Sequence, residues 1–468
     1  MLRIYNEQAD LWDSVLPENL REMPKELRLI DEILSDEEFT KRFDEKLKEK
    51  IKAKKFSADF GRPSTFIATY VRLMVLKFRH QYSYEELIED VNDSVGKRRF
   101  CGIGLSEKMP DDTTLIKLTT KLGEDFILGL VEETAKEARR RGLTKGKKLR
   151  VDTFVMKSNI HYPTDATLLS DGIRVVTRVV GKLREEVGKR IRERMPDYVR
   201  KAKRLLLRLH FDRKGKKEGE KKKTDDLVRK LMEMAEKTAD RAERIGAKLS
   251  GAGKSYAKTT HEKLKGYVAL TRQIMEQTRQ VLAGCKKIPD RVVSLFDKGA
   301  RPIVKGKTFP DVEFGRKVVI TESEAGIITH VKGYEGNPND QTLLEGAIQA
   351  QEEVLGKTPE SVATDRGFYD SSGESEEKLA AAGVRNISIP ARGYKDGRRK
   401  RKEKSKIFRE LQRWRAGQEA KISHLIRTFG VGKSLMRGTV GASIWLLYGA
   451  FAGNLWQMAR LMAEKNGG

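Results

Sequence analysis

The sequence is poor in the residues that build disulfide scaffolds and zinc sites. Its 468 residues include only two cysteines, Cys101 and Cys285, which excludes a disulfide framework and a four-cysteine zinc site. The six histidines show no His-Glu-x-x-His motif and no paired spacing, which argues against a zinc hydrolase. There is also no Gly-x-Ser-x-Gly motif. So few cysteines fit a reducing compartment, and a cytoplasmic location is expected.

Long apolar runs are scarce as well. The N-terminus has no basic segment followed by an apolar one, so no signal peptide is expected. Residues 438–459 are uncharged over 22 positions, which is long enough to cross a bilayer. However, this segment contains four glycines and several polar side chains, and nothing else in the chain resembles a membrane span. We therefore expect a buried helix packed on a sheet and no membrane partner.

Charge is abundant and unevenly distributed. The chain has 95 Lys and Arg against 68 Asp and Glu, a net charge of +27. Residues 171–290 hold 34 basic and 17 acidic side chains, and residues 391–410 hold 10 basic and 3 acidic ones. Either segment alone fits a solvated helical face or a flexible loop equally well. Together they favour a polyanionic partner, since basic side chains that neutralise phosphates gain affinity by counterion release.

Residues 1–145 have the pattern of a helical N-terminal domain. Helical apolar spacing runs over 64–80, and Ser83 with Glu86 forms a capping-box pattern before the next helix. A third helix is predicted from Asp112 to Gly123. Three short helices with tight connections are compatible with a helix-turn-helix that binds DNA and equally with a plain helical bundle.

From residue 149 the pattern changes to mixed strands and helices. Residues 149–156 predict a strand, and 177–300 predict a basic helical insertion. After 301 a hairpin, alternating helices and strands, a basic loop over 391–406 and a final helix pair follow. The fold class predicted is α/β, with a core formed by 146–176 and 301–468 and a large all-α insertion after the first strand.

Three acids stand out by their positions. Asp152 lies inside an apolar strand, where a charge is costly unless it is paired or binds a cation. Asp365 ends a strand, and Glu419 borders the predicted buried stripe of a helix. The members of this stripe are Ile407, Leu411, Trp414, Gln418, Ile422 and Leu425. Three carboxylates on two strands and a helix can hold two Mg²⁺ ions, which suit phosphoryl transfer. The structural alternatives are a helix N-cap for Asp365 and an ion pair with Arg415 for Glu419.

Motifs over most of the chain carry a family resemblance. They include Val-Asp-Thr at 151–153, Thr-Asp-Arg-Gly-Phe-Tyr at 364–369 and the helix around Glu419, together with the stretches 61–93, 110–118, 149–176, 301–322, 333–340, 386–394 and 417–445. In these stretches the chain resembles the DDE transposases of bacterial insertion sequences, in the subgroup labelled ISNCY-type. Related groups have a Tyr-x2-Arg-x3-Glu-x6-Lys signature. Arg415 and Glu419 keep its spacing, whereas Gln412 and Ile426 replace its Tyr and Lys.

The resemblance implies an RNase H-like mixed-sheet core with Asp152, Asp365 and Glu419 as catalytic metal ligands. It implies two Mg²⁺ ions, with Mn²⁺ as the alternative, and a third acid at Glu419 rather than Glu410. The partner implied is double-stranded DNA, both the terminal inverted repeats of the element and its target, with a homodimer in the synaptic complex and a nucleoid-associated location. The residues expected on DNA phosphates are Lys395, Arg398, Arg399, Lys400, Arg401, Lys402, Arg415 and Arg427.

The function expected is therefore cleavage at the ends of the element and transfer of 3′-hydroxyls into target DNA. Two alternatives stay open. One is a structure-selective nuclease on the same core, which hydrolyses DNA but never joins it. The other is a catalytically inactive DNA-binding protein, which would bind in a salt-sensitive manner without cleaving.

Overall fold

The chain folds into two compact units. The computed structural model describes residues 16–17, 22–52, 65–187, 193–212, 218–249, 255–285, 287–304 and 312–466. The first unit comprises 1–157 and 316–468, and the second comprises 158–315. The second unit therefore interrupts the first unit in sequence.

The N-terminal part of the first unit is helical. Ser83 and Glu86 cap one of its helices reciprocally, which confirms the predicted capping box. Gly123 has φ +73°, which glycine adopts without steric cost. Its non-helical backbone kinks the last of these helices at the residue where the predicted third helix ends. The helices are α1 (Lys25–Leu34), α2 (Glu37–Lys52), α3 (Ile67–His80), α4 (Tyr84–Asn92), α5 (Val95–Cys101) and α6 (Asp112–Arg140).

A mixed sheet follows the helices. Its strands are β1 (Lys148–Lys157), β2 (Arg301–Val304), β3 (Val312–Ser323), β4 (Ile328–Tyr334), β5 (Ser361–Thr364) and β6 (Asn386–Ser388). Strand β1 lies between β3 and β5, and β6 lies beyond β5. The β3–β4 pair is antiparallel, as the predicted hairpin requires, whereas β1, β5 and β6 are parallel. The carboxyl ends of the parallel strands consequently share one edge of the sheet.

Five further helices of the first unit lie in its described C-terminal part. They are α11 (Leu344–Leu355), α12 (Glu374–Ala381), α13 (Gly397–Lys404), α14 (Lys406–Phe429) and α15 (Gly438–Asn466). Helix α15 packs against β4, α3 and α6 with buried side chains such as Tyr448 and Phe451, which confirms the buried helix predicted from 438–459. Within the described ranges, no helix has the length and apolar character needed to cross a membrane.

The second unit is mainly helical. Its helices are α7 (Asp165–Val187), α8 (Val199–Asp212), α9 (Glu218–Leu249) and α10 (Ser255–Leu282). Helix α7 packs against the other three helices around a core that includes Leu169, Ile173 and Ile274. This unit, 158–315, includes the residues 177–300 that were predicted as a basic helical insertion.

The fold class predicted from the sequence is confirmed, because the protein has an α/β fold with a mixed six-stranded sheet and a helical N-terminal region. The division into separately acting domains at 145, 176 and 301 stays a prediction. So does the DNA-binding helix-turn-helix, which was predicted from the helices between 64 and 123; of these positions only residue 64 lies outside the described residues.

Asn454 generates a prediction about the stability of the first unit. Its buried side chain accepts a hydrogen bond from the Ile328 N–H at 2.8 Å, and it donates to the Ile328 carbonyl at 2.9 Å and to Thr134 Oγ1 at 3.1 Å. Asn454→Ala should lower the free energy of unfolding by about 2–4 kcal/mol, because buried partners lose their hydrogen bonds. Chemical denaturation measures this change. The exposed control Glu464→Ala should change it by less than about 0.5 kcal/mol, and equal losses in both variants would contradict the account.

Candidate active site

Asp152 lies in β1 and is only 8% exposed. Its Oδ1 accepts a hydrogen bond from the Thr153 N–H at 2.7 Å. Burial, and next the charge of Asp365, raise the pKa of the Asp152 carboxyl to about 7. The charge of Glu419 also acts to raise this pKa, and Arg415 acts to lower it. The three predicted acids are thus close enough for their charges to interact.

Strand register explains why Asp152 and Asp365 are neighbours. Strands β1 and β5 pair in parallel with Val151 opposite Thr364, so the two aspartates occupy the next position on adjacent strands. The Asp365 side chain also accepts a hydrogen bond from the Gly367 N–H at 2.7 Å and caps the 3₁₀ turn Arg366–Phe368. The N-cap considered as a structural alternative for Asp365 is therefore present, and it holds the side chain in place beside Asp152.

Arg415 connects the first acid to the third. Its Nη1 lies 3.5 Å from Asp152 Oδ2, and its Nη2 lies 3.4 Å from Glu419 Oε1. The Arg415 side chain is 16% exposed, whereas that of Glu419 is 73% exposed. The ion pair considered as an alternative for Glu419 therefore exists, but it is shared with Asp152. The contact of Arg415 with DNA phosphate stays a prediction, since here the guanidinium is directed at carboxylates.

Two glutamines of α14 fix the helix over the sheet. The fully buried Gln418 donates through Nε2 to the carbonyls of Arg150 at 3.3 Å and Ile320 at 3.2 Å. Gln412 donates to the carbonyls of Thr364 at 3.2 Å and Ser388 at 2.8 Å, where β5 and β6 end. Sequence reasoning placed Gln418 in the buried stripe but gave Gln412 no role. Gln412 stands where the family signature has Tyr, and this was the only feature of the sequence that drew attention to it.

The buried face of α14 differs from the predicted stripe at one end. Ile407 is 54% exposed, so its prediction as a buried residue was wrong. Phe408 is buried instead, one residue further along the chain. Ser405 caps the helix at this point by accepting a hydrogen bond from the Phe408 N–H at 3.3 Å, which sets where the helix begins and hence which side chains face inward.

The chemistry of the acids fits a hard divalent cation, because Mg²⁺ and Mn²⁺ prefer carboxylate oxygens. Among the described residues, no group of three or more His, Cys, Asp or Glu side chains is arranged to hold one metal ion. At this site Glu419 is paired with Arg415. Since Glu419 is exposed, its side chain has room to change rotamer. The donor set thus suits the cation, although the side chains do not converge on one point.

The basic segment after β6 is not a loop throughout. Residues Gly397–Lys404 form helix α13, capped by Asp396, which accepts a hydrogen bond from the Arg399 N–H at 2.6 Å. The prediction of a loop over 391–406 was wrong here. The cap explains why a helix forms here. An Asp at the N-cap accepts a hydrogen bond from an otherwise unpaired N–H, and its negative charge interacts favourably with the positive end of the helix dipole.

Helix α13 separates the predicted phosphate-binding residues into two groups. Arg399 pairs with Glu376 at 2.7 Å and Glu403 at 3.1 Å, and its side chain is 14% exposed. Lys395 pairs with Glu403, and Lys402 with Glu376. These three cations stabilise the packing of α13 on its neighbours.

The second group is directed to solvent. Arg398, Lys400 and Arg401 are exposed, and none of the three has an ion-pair partner within the described part of the chain. Arg427 is exposed on α14 and donates through Nε to the Ser423 carbonyl at 3.4 Å. Of the eight residues predicted to contact phosphates, these four are exposed and form no ion pair within the described structure.

The comparison with known proteins matches a region of the chain that does not include the three acids. Residues 15–121 match the family described as Transposase domain (DUF772), which is less than a quarter of the chain and lies in its helical N-terminal part. The chain matches no curated protein and no solved structure. The family match supports a transposase function and implies DNA as the partner.

The raised pKa of Asp152 generates a prediction on stability. The pKa of the Asp152 carboxyl is higher in the folded than in the unfolded protein, so the protonated form favours folding. Its contribution to the free energy of unfolding is complete below the ordinary pKa of 3.8 and is lost as pH rises to about 7. With a chelator present, Asp152→Asn should therefore unfold like the wild type at pH 4. Above pH 7 it should be more stable by about 4 kcal/mol, because the pKa rises by about three units and each unit corresponds to about 1.4 kcal/mol.

Denaturant unfolding at a series of pH values measures this difference. Glu410→Gln, on the exposed side of α14, serves as the control and should show no such trend. A loss of stability in Asp152→Asn that is constant with pH would contradict the account, because it would mean that the carboxylate contributes a favourable structural contact.

Proposed function

We propose that this chain is a DNA transposase of the DDE type, which cuts at the ends of its element and joins the freed 3′-hydroxyls to target DNA. The observation that carries the proposal is the position of Asp152 in β1 and of Asp365 directly after the adjacent parallel strand β5, with Glu419 linked to Asp152 through Arg415. The match of the N-terminal region to a transposase domain supports it independently.

The sheet supports an RNase H-like core. An antiparallel hairpin, β3–β4, lies on one side of β1, and the parallel strands β5 and β6 lie on the other. Helix α11 connects β4 to β5, and α14 crosses the strands after β6. This order is compatible with the mixed-sheet core that the resemblance implies, and it brings the acids to the carboxyl edge of the parallel strands, where ligands of such sheets collect.

Asp152, Asp365 and Glu419 would hold two Mg²⁺ ions, or Mn²⁺ in their place. Divalent ions bound there would activate the attacking oxygen and stabilise the leaving oxygen of an in-line phosphoryl displacement. The residues of the chain orient the ligands. The Thr153 N–H holds Asp152, the Gly367 N–H holds Asp365, and Gln412 holds the Thr364 carbonyl directly before Asp365. Arg415 balances the charge of Asp152 and Glu419.

The exposed cations provide contacts to the DNA backbone. Arg398, Lys400 and Arg401 on α13 and Arg427 on α14 bind phosphates, which position the DNA without reading its sequence. The basic second unit grips the DNA backbone or joins two protomers, since chemistry at two ends of an element calls for a homodimer in the synaptic complex. A chain with these partners acts in the cytoplasm at the nucleoid.

Replacement of the acids tests the catalytic part of the proposal. Asp152→Asn and Glu419→Gln should lower Mg²⁺-dependent cleavage of DNA carrying the element ends by about a thousandfold or more, because each loses a charged ligand. Binding to the same DNA should stay within about threefold, since charge-driven affinity comes from other residues. Glu410→Gln, on the same helix, should cleave normally. Loss of binding together with cleavage would contradict the catalytic assignment.

The products distinguish transposition from hydrolysis. In the same assay, DNA ends that already carry a free 3′-hydroxyl should become covalently joined to a target plasmid by the wild-type protein. Hydrolysis without joined products would instead indicate the nuclease. Salt-sensitive binding with neither reaction would indicate the inactive DNA-binding protein.

The two groups of cations on α13 generate a separate prediction. Replacement of Arg398 and Arg401 by Ala should reduce the slope of log affinity against log salt concentration by about 2, because each phosphate contact contributes nearly one unit. The melting temperature should not change, since neither side chain forms an ion pair in the described structure. Fluorescence anisotropy at several salt concentrations measures the slope.

The matched control removes the same charge elsewhere. Lys378 is exposed and Lys357 half-buried, and each pairs with nearby glutamates. The double replacement of these residues by Ala should leave the salt slope unchanged. Equal slopes for both double variants would exclude α13 as a phosphate-binding surface.

A further inference from the structure

A cavity lies between α14 and α15, on the side of α14 away from the three acids. Its lining includes Gly417, Lys421 and His424 from α14, with further residues from β1, β3, the turn after β3, and α15. The three α14 positions recur every three or four residues, so they share one stripe of the helix. That stripe lies about half a turn away from Arg415 and Glu419. This α14–α15 cavity has a volume of about 540 Å³, within the range of small-ligand pockets.

The basic side chains of the α14–α15 cavity have few partners. Lys421 is half-buried, and within the described ranges it forms no hydrogen bond and no ion pair. Arg460 is 64% exposed, and its only ion pair in the described structure, with Glu464, is long at 3.7 Å. The His424 ring bonds through Nδ1 to Thr428 Oγ1 at 3.1 Å, whereas its Nε2 has no hydrogen-bond partner among the described residues. An ammonium, a guanidinium and an imidazole nitrogen therefore border the cavity with little compensation.

The acids that line the cavity are already engaged. Glu322 is buried, and its Oε2 lies 2.8 Å from both Nε and Nη2 of Arg150. Glu324 accepts hydrogen bonds from the backbone N–H groups of Lys145 at 2.8 Å and of Lys148 at 3.2 Å, where β1 begins. In the described structure neither acid forms an ion pair with the other cations of the cavity. The charge that is left over at the cavity is positive.

More positive charge surrounds His424. Arg79 of α3 lies over the Trp456 ring, with 4.6 Å from its guanidinium carbon to the ring centre, and Trp456 lines the cavity. Burial, and after it the charges of nearby cations, lower the pKa of the His424 imidazole. These cations are Lys421, Arg79, Arg460 and Arg427. Four like charges from three helices repel each other, and an anion bound among them would compensate this repulsion.

The lining fits a phosphate group better than a carboxylate. A phosphate carries one to two negative charges and three acceptor oxygens that point in different directions. It can therefore accept hydrogen bonds from a lysine ammonium, an arginine guanidinium and an imidazole N–H at the same time. A carboxylate has two oxygens in one plane, so it would leave one of the three donors unpaired.

We propose that the α14–α15 cavity is a phosphate-binding site in which Lys421, Arg460 and His424 contact the phosphate oxygens. DNA and free nucleotides both carry such a group. DNA as its source rests on the proposed function, whereas the phosphate site itself does not. On DNA, this site would hold the backbone on the side of α14 opposite to the three acids.

Chemical labelling of the full chain tests the site without any cleavage assay. Pyridoxal 5′-phosphate and pyridoxal share an aldehyde that condenses with a lysine amine, with loss of water, and borohydride reduces the imine to a stable adduct. Lys421 should be labelled about tenfold faster by pyridoxal 5′-phosphate than by pyridoxal, because the bound phosphate places the aldehyde beside its amine. Peptide mass spectrometry measures both rates.

Two controls accompany the labelling. Lys465, an exposed lysine near the end of α15, should react about equally with both probes, since its surroundings hold no phosphate site. Arg460→Ala should remove most of the preference at Lys421, and its exposed position makes a folding defect an unsuitable explanation. A preference at Lys421 no greater than that at Lys465 overturns the phosphate site.

Competition identifies the source of the phosphate. Protection of Lys421 by a DNA duplex of arbitrary sequence, at concentrations where dAMP does not protect, supports DNA. Protection by dAMP but not by the duplex supports the site and overturns DNA as its source. Protection by neither overturns the site.

DNA binding gives an independent measure. If DNA supplies the phosphate, Lys421→Met combined with Arg460→Ala should lower the slope of log affinity against log salt concentration by about 1, because one phosphate contact is lost. The double replacement of Lys357 and Lys378 by Ala should leave the slope unchanged. An equal slope in the wild type and in the Lys421 and Arg460 double variant overturns DNA as the source.

The outcomes also separate this site from the proposed function. If the protein cleaves and joins DNA but Lys421 shows no preference for the phosphate probe, the site is overturned and the proposed function stands. If Lys421 shows the preference but the protein neither cleaves nor joins DNA, the proposed function is overturned and the site stands.

Discussion

The site depends on how α14 is attached across the open face of the sheet. The buried Gln418 amide bonds to carbonyls on β1 and β3, and Gln412 bonds to carbonyls at the ends of β5 and β6. An unpaired buried amide is costly, so these bonds favour one position of the helix along the strands. In that position Arg415 lies between Asp152 and Glu419. The position of the third acid, Glu419, is therefore set by hydrogen bonds from neutral glutamine side chains.

The burial of Asp152 beside other acids costs folding stability. Asp152 is buried beside another carboxylate, and the resulting rise in its pKa shows that its charged form is disfavoured in the folded protein. A protein selected only for stability would have an apolar residue at this point of β1, where Val151 and Phe154 are buried. Arg415 compensates the charge in part, at distances of 3.4–3.5 Å that are long for an ion pair. A divalent cation would compensate it more fully.

Local patterns in the sequence predicted much of the fold. The β1 strand, the capping box at Ser83 and the kink at Gly123 follow from propensity, side-chain capping and positive φ, which act over a few residues. The position of Asp152 in an apolar strand was equally visible. By contrast, Gln412 has partners that are distant in the sequence, and α13 is capped within a run of like charge that resembles a loop. The partners of Gln412 leave no local pattern, whereas the Asp396 cap of α13 is local and was overlooked within the run of basic residues.

The central claim is that acids from separate elements share divalent cations at the carboxyl edge of the parallel strands. Anomalous diffraction from crystals of the protein grown with Mn²⁺ tests it most directly. The account predicts manganese density within coordination distance, about 2.1 Å, of carboxylate oxygens of both Asp152 and Asp365. Manganese bound elsewhere, with Asp152 still paired to Arg415 and no density beside either aspartate, would contradict it.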